Sequence, residues 1–155
     1  MFERYTEKAR RVIFFARYEV SELGSKSIEP EHLLLGLLRE DKALIARFLP
    51  ANVSTEMIRD QVEASVSKRE RIPTSVEIPL SRMSKRVLKY AQEESETLKH
   101  RDVGTEDLLL GLLRQKNSRL HLGSKKELVA DRVLRENGLE LAEVRQQIKC
   151  EVDKE

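Results

Sequence analysis

Apolar residues recur at spacings of three and four along the first part of the chain. This stripe predicts an amphipathic helix that begins after Thr6 and ends at Gly24. Thr6 is a suitable N-cap, and Gly24 supplies a C-terminal stop. The residues of the stripe are Ala9, Val12, Ile13, Ala16, Val20 and Leu23.

A second helix is predicted over about 30–40, with Pro30 in its first turn, where a missing N–H costs nothing. Leucines occupy nearly every side of this helix, so it should be buried all round. Gly36 in its middle costs on the order of 1 kcal/mol of helix propensity relative to alanine. A glycine at this position suggests that another helix approaches too closely for a methyl group.

The leucine-rich segment returns later in the chain at a constant offset of 75 residues. Glu31 and residues 33–39 match Glu106 and residues 108–114. The match extends backwards, since Arg11, Val12, Ala16, Glu19 and Leu23 recur as Arg86, Val87, Ala91, Glu94 and Leu98. An ungapped repeat of this length indicates one structural unit built twice. Gly111 is the counterpart of Gly36, and we expect Gly111→Leu to destabilise by overpacking, by about 1–3 kcal/mol.

The rest of repeat one predicts two further helices, one over about 42–49 that ends at Pro50 and one over about 55–66 that Ser54 caps. Residues 67–79 read as an extended linker, because Pro73 and Pro79 disfavour helix in the residues before them. Met57, Ile58, Val62 and Val66 are predicted to point inward.

Repeat two opens at Ser81, the counterpart of Thr6, with helices predicted over about 82–97 and 106–115. An insertion at 117–125 then breaks the offset. Two more helices follow, the first around 131–134 and the second after Gly138. Leu141, Val144, Ile148 and Val152 are predicted to point inward.

These elements predict an all-α fold of eight helices. It is a pseudo-two-fold tandem repeat of two four-helix motifs, packed as one globular domain over residues 1–155. Repeat one covers about 2–66 and repeat two about 80–152. The repeats should pack into one body, because each alone would leave an apolar face open to water.

Composition supports a helical fold and argues against nucleic-acid binding. Trp is absent, and six Gly and four Pro leave little room for the turns of a β fold. The net charge is +2, and basic residues are interleaved with acidic ones along the chain. The nearest basic block, residues 68–71, is short and interrupted, so we do not expect the steep salt-dependent DNA affinity of a nucleic-acid-binding protein.

Cysteine usage and hydropathy indicate a cytoplasmic protein without membrane contact. Cys150 is the single cysteine and forms no internal disulfide, which fits a reducing cytosol. The N-terminus carries charge at once and lacks an apolar signal core. No apolar run approaches the ~20 residues that cross a bilayer.

Enzymatic chemistry finds no support in the sequence. His32, His100 and His121 do not recur at metal-ligand spacing, and a nucleophilic Cys150–His pair has nothing else in its favour. The phosphate-binding loop of ATPases is missing, and the segment around Gly123 lacks its first glycine. A small hydrolase would need a converging polar cluster, so we expect no catalytic residue, metal or cofactor.

Two segments and their spacing point to a family. Residues 2–12, followed by 31–39, strongly resemble the Clp N-terminal domain of ClpC/ClpA-type AAA+ unfoldases, especially the ClpC type. Residues 104–113 resemble the second Clp-N motif of the same domain. The resemblance covers essentially residues 2–150.

The resemblance implies a non-catalytic module in front of the ATPase rings of a protein unfoldase. The implied partners are that Clp ATPase ring, adaptor proteins and substrate proteins. A free-standing protein that acts as an adaptor or as a competitor for substrates is an open alternative. In ClpC-type members the domain also recognises phosphorylated arginine on proteins marked for degradation.

The resemblance assigns phosphoarginine contacts residue by residue. The glutamate of the family's Gly-Thr-Glu-His motif, which pairs with the guanidinium, falls on Glu31 and Glu106. The threonine near the phosphate falls on Thr6 and, in repeat two, on Ser81. From the residues alone, these carboxylates also serve as partners of a helix dipole and these hydroxyls as N-caps.

Repeat one departs from the family pattern, and repeat two keeps more of it. Glu29 and Pro30 stand where the family has Gly-Thr, which adds a negative charge and removes an N–H donor. We therefore expect the second site to bind better. The insertion at 117–125, and Leu80 where ClpC-type members often carry an aromatic residue, bear on adaptor binding.

Three further residues are predicted to belong to a partner-binding surface. Phe2 and Tyr5 precede the first helix and lie outside its apolar stripe. Lys85, on the first helix of repeat two, could flank the same surface.

Overall fold

The computed structural model describes residues 2–115 and 129–154. Within them lie eight helices: α1 (Glu7–Leu23), α2 (Pro30–Glu40), α3 (Lys42–Ala46), α4 (Thr55–Ala64), α5 (Arg82–Thr97), α6 (Thr105–Arg114), α7 (Val129–Glu136) and α8 (Leu141–Lys154). The predicted all-α fold is confirmed. The insertion at 117–125 and His121 lie outside the described residues, as does the side chain of Val152.

The predicted N-caps Thr6 and Ser81 are confirmed, and the prediction that Met57 points inward is wrong. The hydroxyl of Thr6 accepts a hydrogen bond from the backbone N–H of Ala9, and that of Ser81 accepts from Ser84, both at 3.1 Å. Met57 is exposed, at 43%, although an inward side chain was expected. Ile58 and Val62 are four residues apart and bury the inner face of α4, which turns the neighbouring Met57 outward.

Helices α2 and α6 lie at the centre of the molecule and contact each other. Helix α1 packs on α2, and α5 packs in the same way on α6. The leucines of both central helices are almost entirely buried, among them Leu34, Leu35, Leu37, Leu109, Leu110 and Leu112. The all-round hydrophobicity of these helices therefore reflects contact on every side.

Both central glycines lie where another helix backbone passes. A Cβ on Gly36 would lie 2.4 Å from the carbonyl oxygen of Val12, and one on Gly111 would lie 2.5 Å from that of Val87. Both distances are far shorter than a carbon–oxygen contact allows. The predicted close approach of helices at these glycines is confirmed.

The residues before the first helix of each repeat pair with the segment that joins the first two helices of the other repeat. The backbone N–H of Thr6 donates to the carbonyl of Val103 at 2.9 Å, and that of Ser81 donates to the carbonyl of Ile28 at 3.0 Å. Residues 5 and 103 form one short parallel bridge, and residues 28 and 80 form its pseudo-symmetric counterpart. As a result, α1 begins beside the start of α6, and α5 begins beside the start of α2.

The linker runs along the C-terminal end of α1. The backbone N–H groups of Arg69 and Ile72 donate to the carbonyls of Leu23 and Ser21, at 2.9 Å and 3.0 Å. The Arg17 guanidinium also donates to backbone carbonyls of the linker. The segment is free of helix, as predicted, and it supplies donors to carbonyls that the end of a helix leaves unpaired.

Each repeat buries one glutamate at equivalent positions. Glu19 is 2% exposed and pairs with Arg39 at 3.0 Å and Arg59 at 2.8 Å. Glu94 is 3% exposed, and its carboxylate accepts from Arg145 Nε at 2.7 Å. Within the described part of the chain, Glu94 thus relies on one arginine where Glu19 has two.

We expect Arg145→Met to lower the free energy of unfolding by about 1–2 kcal/mol. A buried carboxylate that loses its partner costs about 3–5 kcal/mol, and the partial exposure of Arg145 reduces this figure. Arg59→Met is the matched control and should cost less, because Arg39 still pairs with Glu19. Urea unfolding of both variants tests the comparison, and an equal loss would contradict it.

Candidate functional site

Thr6 and Glu106 line the same cleft, although they belong to different repeats. The cleft has a volume of about 620 Å³ and lies where α1 and α6 begin side by side, with α8 as a further wall. It is lined by Thr6, Glu7, Lys8, Arg11, His100, Asp102, Gly104, Thr105, Glu106, Asp107, Ile148 and Glu151. We call it the repeat-two cleft, because the motif glutamate on it is that of repeat two.

The α1 side of the repeat-two cleft is suited to an anion. The Thr6 hydroxyl oxygen accepts from the N–H of Ala9, which leaves its hydrogen able to donate to a ligand. Lys8 and Arg11 bring two positive charges to the same wall, against one negative charge from Glu7, and Arg11 also pairs with Glu40 at 2.7 Å. The start of a helix adds the positive end of its dipole.

The α6 side is acidic. Glu106 is half-buried, and burial raises the pKa of its carboxyl, as does the neighbouring Asp107. Asp107 is fully buried, which raises the pKa of its carboxyl too. Its carboxylate accepts from the Gly104 N–H at 2.9 Å and from His100 Nδ1 at 2.9 Å. A cation that reached Glu106 would therefore relieve a carboxylate short of compensating charge.

Ser81 and Glu31 belong to the pseudo-symmetric position, where α5 begins beside α2. Ser81 is tied by its backbone to Ile28, two residues before Pro30. The third residue of α2 is His32, whose Nδ1 accepts from the Glu29 N–H at 2.9 Å and whose Nε2 lies 3.1 Å from the Ser25 hydroxyl. Burial lowers the pKa of His32 to about 4.

The structure joins the predicted ligand residues across the repeats. The resemblance assigns one hydroxyl and one carboxylate to each repeat, but the crossed bridges place Thr6 next to Gly104, where an added Cβ would lie 3.8 Å from the Thr6 methyl. The first turns also differ, because Arg82 and Met83 stand at the counterparts of Glu7 and Lys8. Glu29 and Pro30 replace Gly104 and Thr105. The position in repeat one thus has one backbone N–H fewer, at Pro30, and one additional negative charge, at Glu29.

The predicted partner surface gathers in one place. The rings of Phe2 and Tyr5 meet edge to face, with centroids 5.0 Å apart. Tyr5 and Lys85 line a shallow pocket together with Leu88, Lys89 and Gln92. Burial raises the pKa of Tyr5 to about 12, so its hydroxyl stays protonated at neutral pH. Its use by a partner stays a prediction.

Sequence reasoning missed several residues of the repeat-two cleft. Lys8, Arg11 and Glu151 line it, and the His100–Asp107 pair supports its acidic side. The repeat alignment held a signal for that pair, since positions 100 and 107 correspond to Ser25 and His32. Nothing in the sequence indicated that α8 would reach the cleft.

Two further features concern the described residues alone. No group of three or more His, Cys, Asp or Glu side chains in this part of the chain could hold a metal ion. Among its helices, none is both long and apolar enough to span a membrane.

Comparison with known proteins agrees with the fold and the motifs. The model of the Clp repeat (R) N-terminal domain matches residues 4–126. Over 149 residues, which is 96% of its length, this chain is 39% identical to the ATP-dependent Clp protease ATP-binding subunit ClpA homolog of Guillardia theta. Over the same share it is 36% identical to the negative regulator of genetic competence ClpC/MecB of Bacillus subtilis. The chain spans only 17% of the length of either relative.

Solved structures show the same architecture. The N-terminal domain of the chaperone ClpD from Arabidopsis thaliana superposes with a TM-score of 0.66 at 26% identity, covering 94% of this chain and 95% of that one. The Hsp104 N-terminal domain from Candida albicans, at 20% identity and a TM-score of 0.69, shares the fold over 94% of this chain and 89% of that one. With its doubled leucine motif and crossed repeats, the chain belongs to the family of Clp N-terminal domains.

Proposed function

We propose that this chain is a non-catalytic receptor for substrates and adaptors of a Clp-type unfoldase, and that it reads phosphoarginine at the repeat-two cleft. The observation that carries the proposal is that Thr6 and Lys8 of α1 line the same cleft as Glu106 of α6. A phosphoarginine side chain carries an anion and a cation side by side, and the cleft offers partners for both.

The chemistry of the two walls fits the two halves of the ligand. A carboxylate can accept two parallel hydrogen bonds from a guanidinium, and Glu106 is the half-buried carboxylate available for this. The phosphate would lie at the start of α1, where the Thr6 hydroxyl, Lys8 and Arg11 supply donors and positive charge. The His100–Asp107 pair would position the first turn of α6.

The pseudo-symmetric position in repeat one should bind phosphoarginine more weakly. Glu29 adds a negative charge near the phosphate, and Pro30 has no N–H to donate. Met83 replaces Lys8 and Arg82 replaces Glu7 on the same wall, so the weaker binding rests on Glu29 and Pro30. Glu31 still offers a carboxylate to a guanidinium.

The remaining function follows from the family. The ATPase ring of the unfoldase would act on proteins that this chain receives, and adaptor proteins would dock on its surface. Phe2, Tyr5 and Lys85 form the candidate docking patch, since two aromatic rings and a cation lie close together there.

Isothermal titration calorimetry with free phosphoarginine tests the proposal. We expect saturable binding at one predominant site, with arginine and phosphate as separate control ligands that bind far more weakly. Glu106→Ala should weaken binding about tenfold or more, because hydrogen bonds to a charged partner are worth about 1.5–3 kcal/mol.

Glu31→Ala is the matched control, because it removes the equivalent carboxylate from repeat one. It should leave most of the binding in place. If millimolar phosphoarginine fails to bind the wild-type protein, the phosphoarginine role is wrong, and the search for ligands moves to adaptors.

A further inference from the structure

We propose that Arg47 is an internal guanidinium that competes with a ligand's guanidinium for the carboxylates of the repeat-two cleft, and that Glu151 is the second carboxylate that receives the ligand. The inference rests on the proposed function in one respect, namely that a guanidinium binds at Glu106. It assigns to this chain a built-in competitor that sets the affinity of the cleft.

The short helix α3 of repeat one bridges two elements of repeat two. At its start, the Asp41 carboxylate accepts from the hydroxyl of Thr105, the residue before Glu106, at 2.9 Å. At its end, Arg47 forms an ion pair with Glu151 of α8. The two ends of α3 are therefore anchored to two elements that line the cleft, the first turn of α6 and the helix α8.

Glu151 and Glu106 face the same cleft from different helices. Both line it, Glu106 from the first turn of α6 and Glu151 from α8. A guanidinium has five N–H donors in a planar fork and can engage carboxylates on two sides. This arrangement suits a single guanidinium held between the two glutamates.

Arg47 supplies positive charge to both carboxylates. It pairs with Glu151 directly, and its charge also lowers the pKa of Glu106, against the raising effects of burial, Asp107 and Glu151. A ligand's guanidinium would bring the same charge to the same oxygens. Because two guanidinium groups repel each other there, ligand binding should displace Arg47.

The Arg47–Glu151 pair is weak enough to exchange. Its side chains are 38% and 56% exposed, and exposed ion pairs contribute little to stability. The Arg47 guanidinium also lies over the ring of Phe48, 5.2 Å from its centroid.

The test measures the affinity of Nα-acetyl-arginine amide, a guanidinium without phosphate, by NMR titration. Removing Arg47 in Arg47→Gln should tighten binding about two- to fivefold, the range expected for removal of an exposed ion pair. Glu151→Gln should weaken binding, because the ligand loses one carboxylate and the released Arg47 can move to Glu106. Arg69→Gln, in the linker, removes one positive charge elsewhere and should leave the affinity at the wild-type value.

Equal affinity in wild type and Arg47→Gln would overturn the proposal, as would weaker binding in Arg47→Gln or the absence of binding to either protein. A parallel titration of the wild type with phosphoarginine separates the two ideas. If phosphoarginine does not bind but Arg47→Gln still tightens the arginine amide, the phosphoarginine role fails and the role of Arg47 stands.

Discussion

Gly111→Leu is expected to lower the free energy of unfolding by about 3 kcal/mol, at the upper end of the usual cost of overpacking. The first added carbon would already lie 2.5 Å from the carbonyl oxygen of Val87, a backbone atom that cannot rotate away. It would also lie 3.1 Å from the backbone nitrogen of Ala91. Helices α5 and α6 must then separate, which opens the core at its centre.

Urea unfolding followed by circular dichroism measures this loss. Gly111→Ala isolates the effect of the Cβ and should fall between the wild type and the leucine variant. Gly104→Ala is the matched control, since its Cβ would meet its nearest neighbour at an ordinary 3.8 Å. There only the N-cap preference is lost, at a cost of about 1 kcal/mol or less. A loss in Gly111→Leu no larger than in this control would mean that the helices move apart freely.

Native stability is expected to fall as the pH drops from about 6.5 towards 4, by up to about 1.4 kcal/mol per pH unit, because of His32. Burial lowers the pKa of His32 to about 4. Between these values the unfolded chain binds a proton that the native protein excludes, so acid favours unfolding. The Glu29 N–H points at Nδ1, so a proton on that nitrogen would also break a hydrogen bond.

Unfolding in urea at pH 7, 5.5 and 4.5 tests this, with His32→Gln as the comparison. Glutamine at this third helical position can still accept from the N-cap N–H but does not titrate. The raised pKa values of Glu106 and Asp107 act in the opposite direction, since those carboxyls bind protons more readily in the native state. Glu106 and Asp107 are present in both the wild type and His32→Gln. The difference in unfolding free energy between the two proteins at each pH therefore reports the titration of His32. Parallel pH profiles would contradict the assignment.

Helix positions and the repeat could be predicted from the sequence because both depend on local order. The spacing of apolar residues and the caps at Thr6 and Ser81 place α1 and α5 within a residue of their observed starts. Two predicted helix ends differ from the observed ones: α3 ends at Ala46 rather than 49, and α4 ends at Ala64 rather than 66. Turns with bonds between residues three apart continue beyond these helices, and their apolar pattern resembles helix.

One backbone conformation could not be predicted from the residue type at the equivalent repeat position. Gly24 ends α1 with φ +71°, a conformation that glycine adopts easily. Its counterpart after α5 is Lys99, which takes φ 61° despite its side chain. The Lys99 N–H donates to Glu96 and the following N–H to Ser95, so hydrogen bonds to the helix end hold it there. Because position 99 is not a glycine, the sequence did not predict this left-handed conformation.

The sequence by itself determined the all-α class, the repeat and the family, because periodicity, caps and an ungapped offset are properties of neighbouring residues. Only the tertiary structure decided which hydroxyl meets which carboxylate. The bridge between residues 5 and 103 brings Thr6 to the helix of Glu106, the bridge between 28 and 80 brings Ser81 to that of Glu31, and α3 brings Arg47 to Glu151. These contacts join residues between 52 and 104 positions apart, and such a pairing depends on how whole helices pack, which no local pattern encodes.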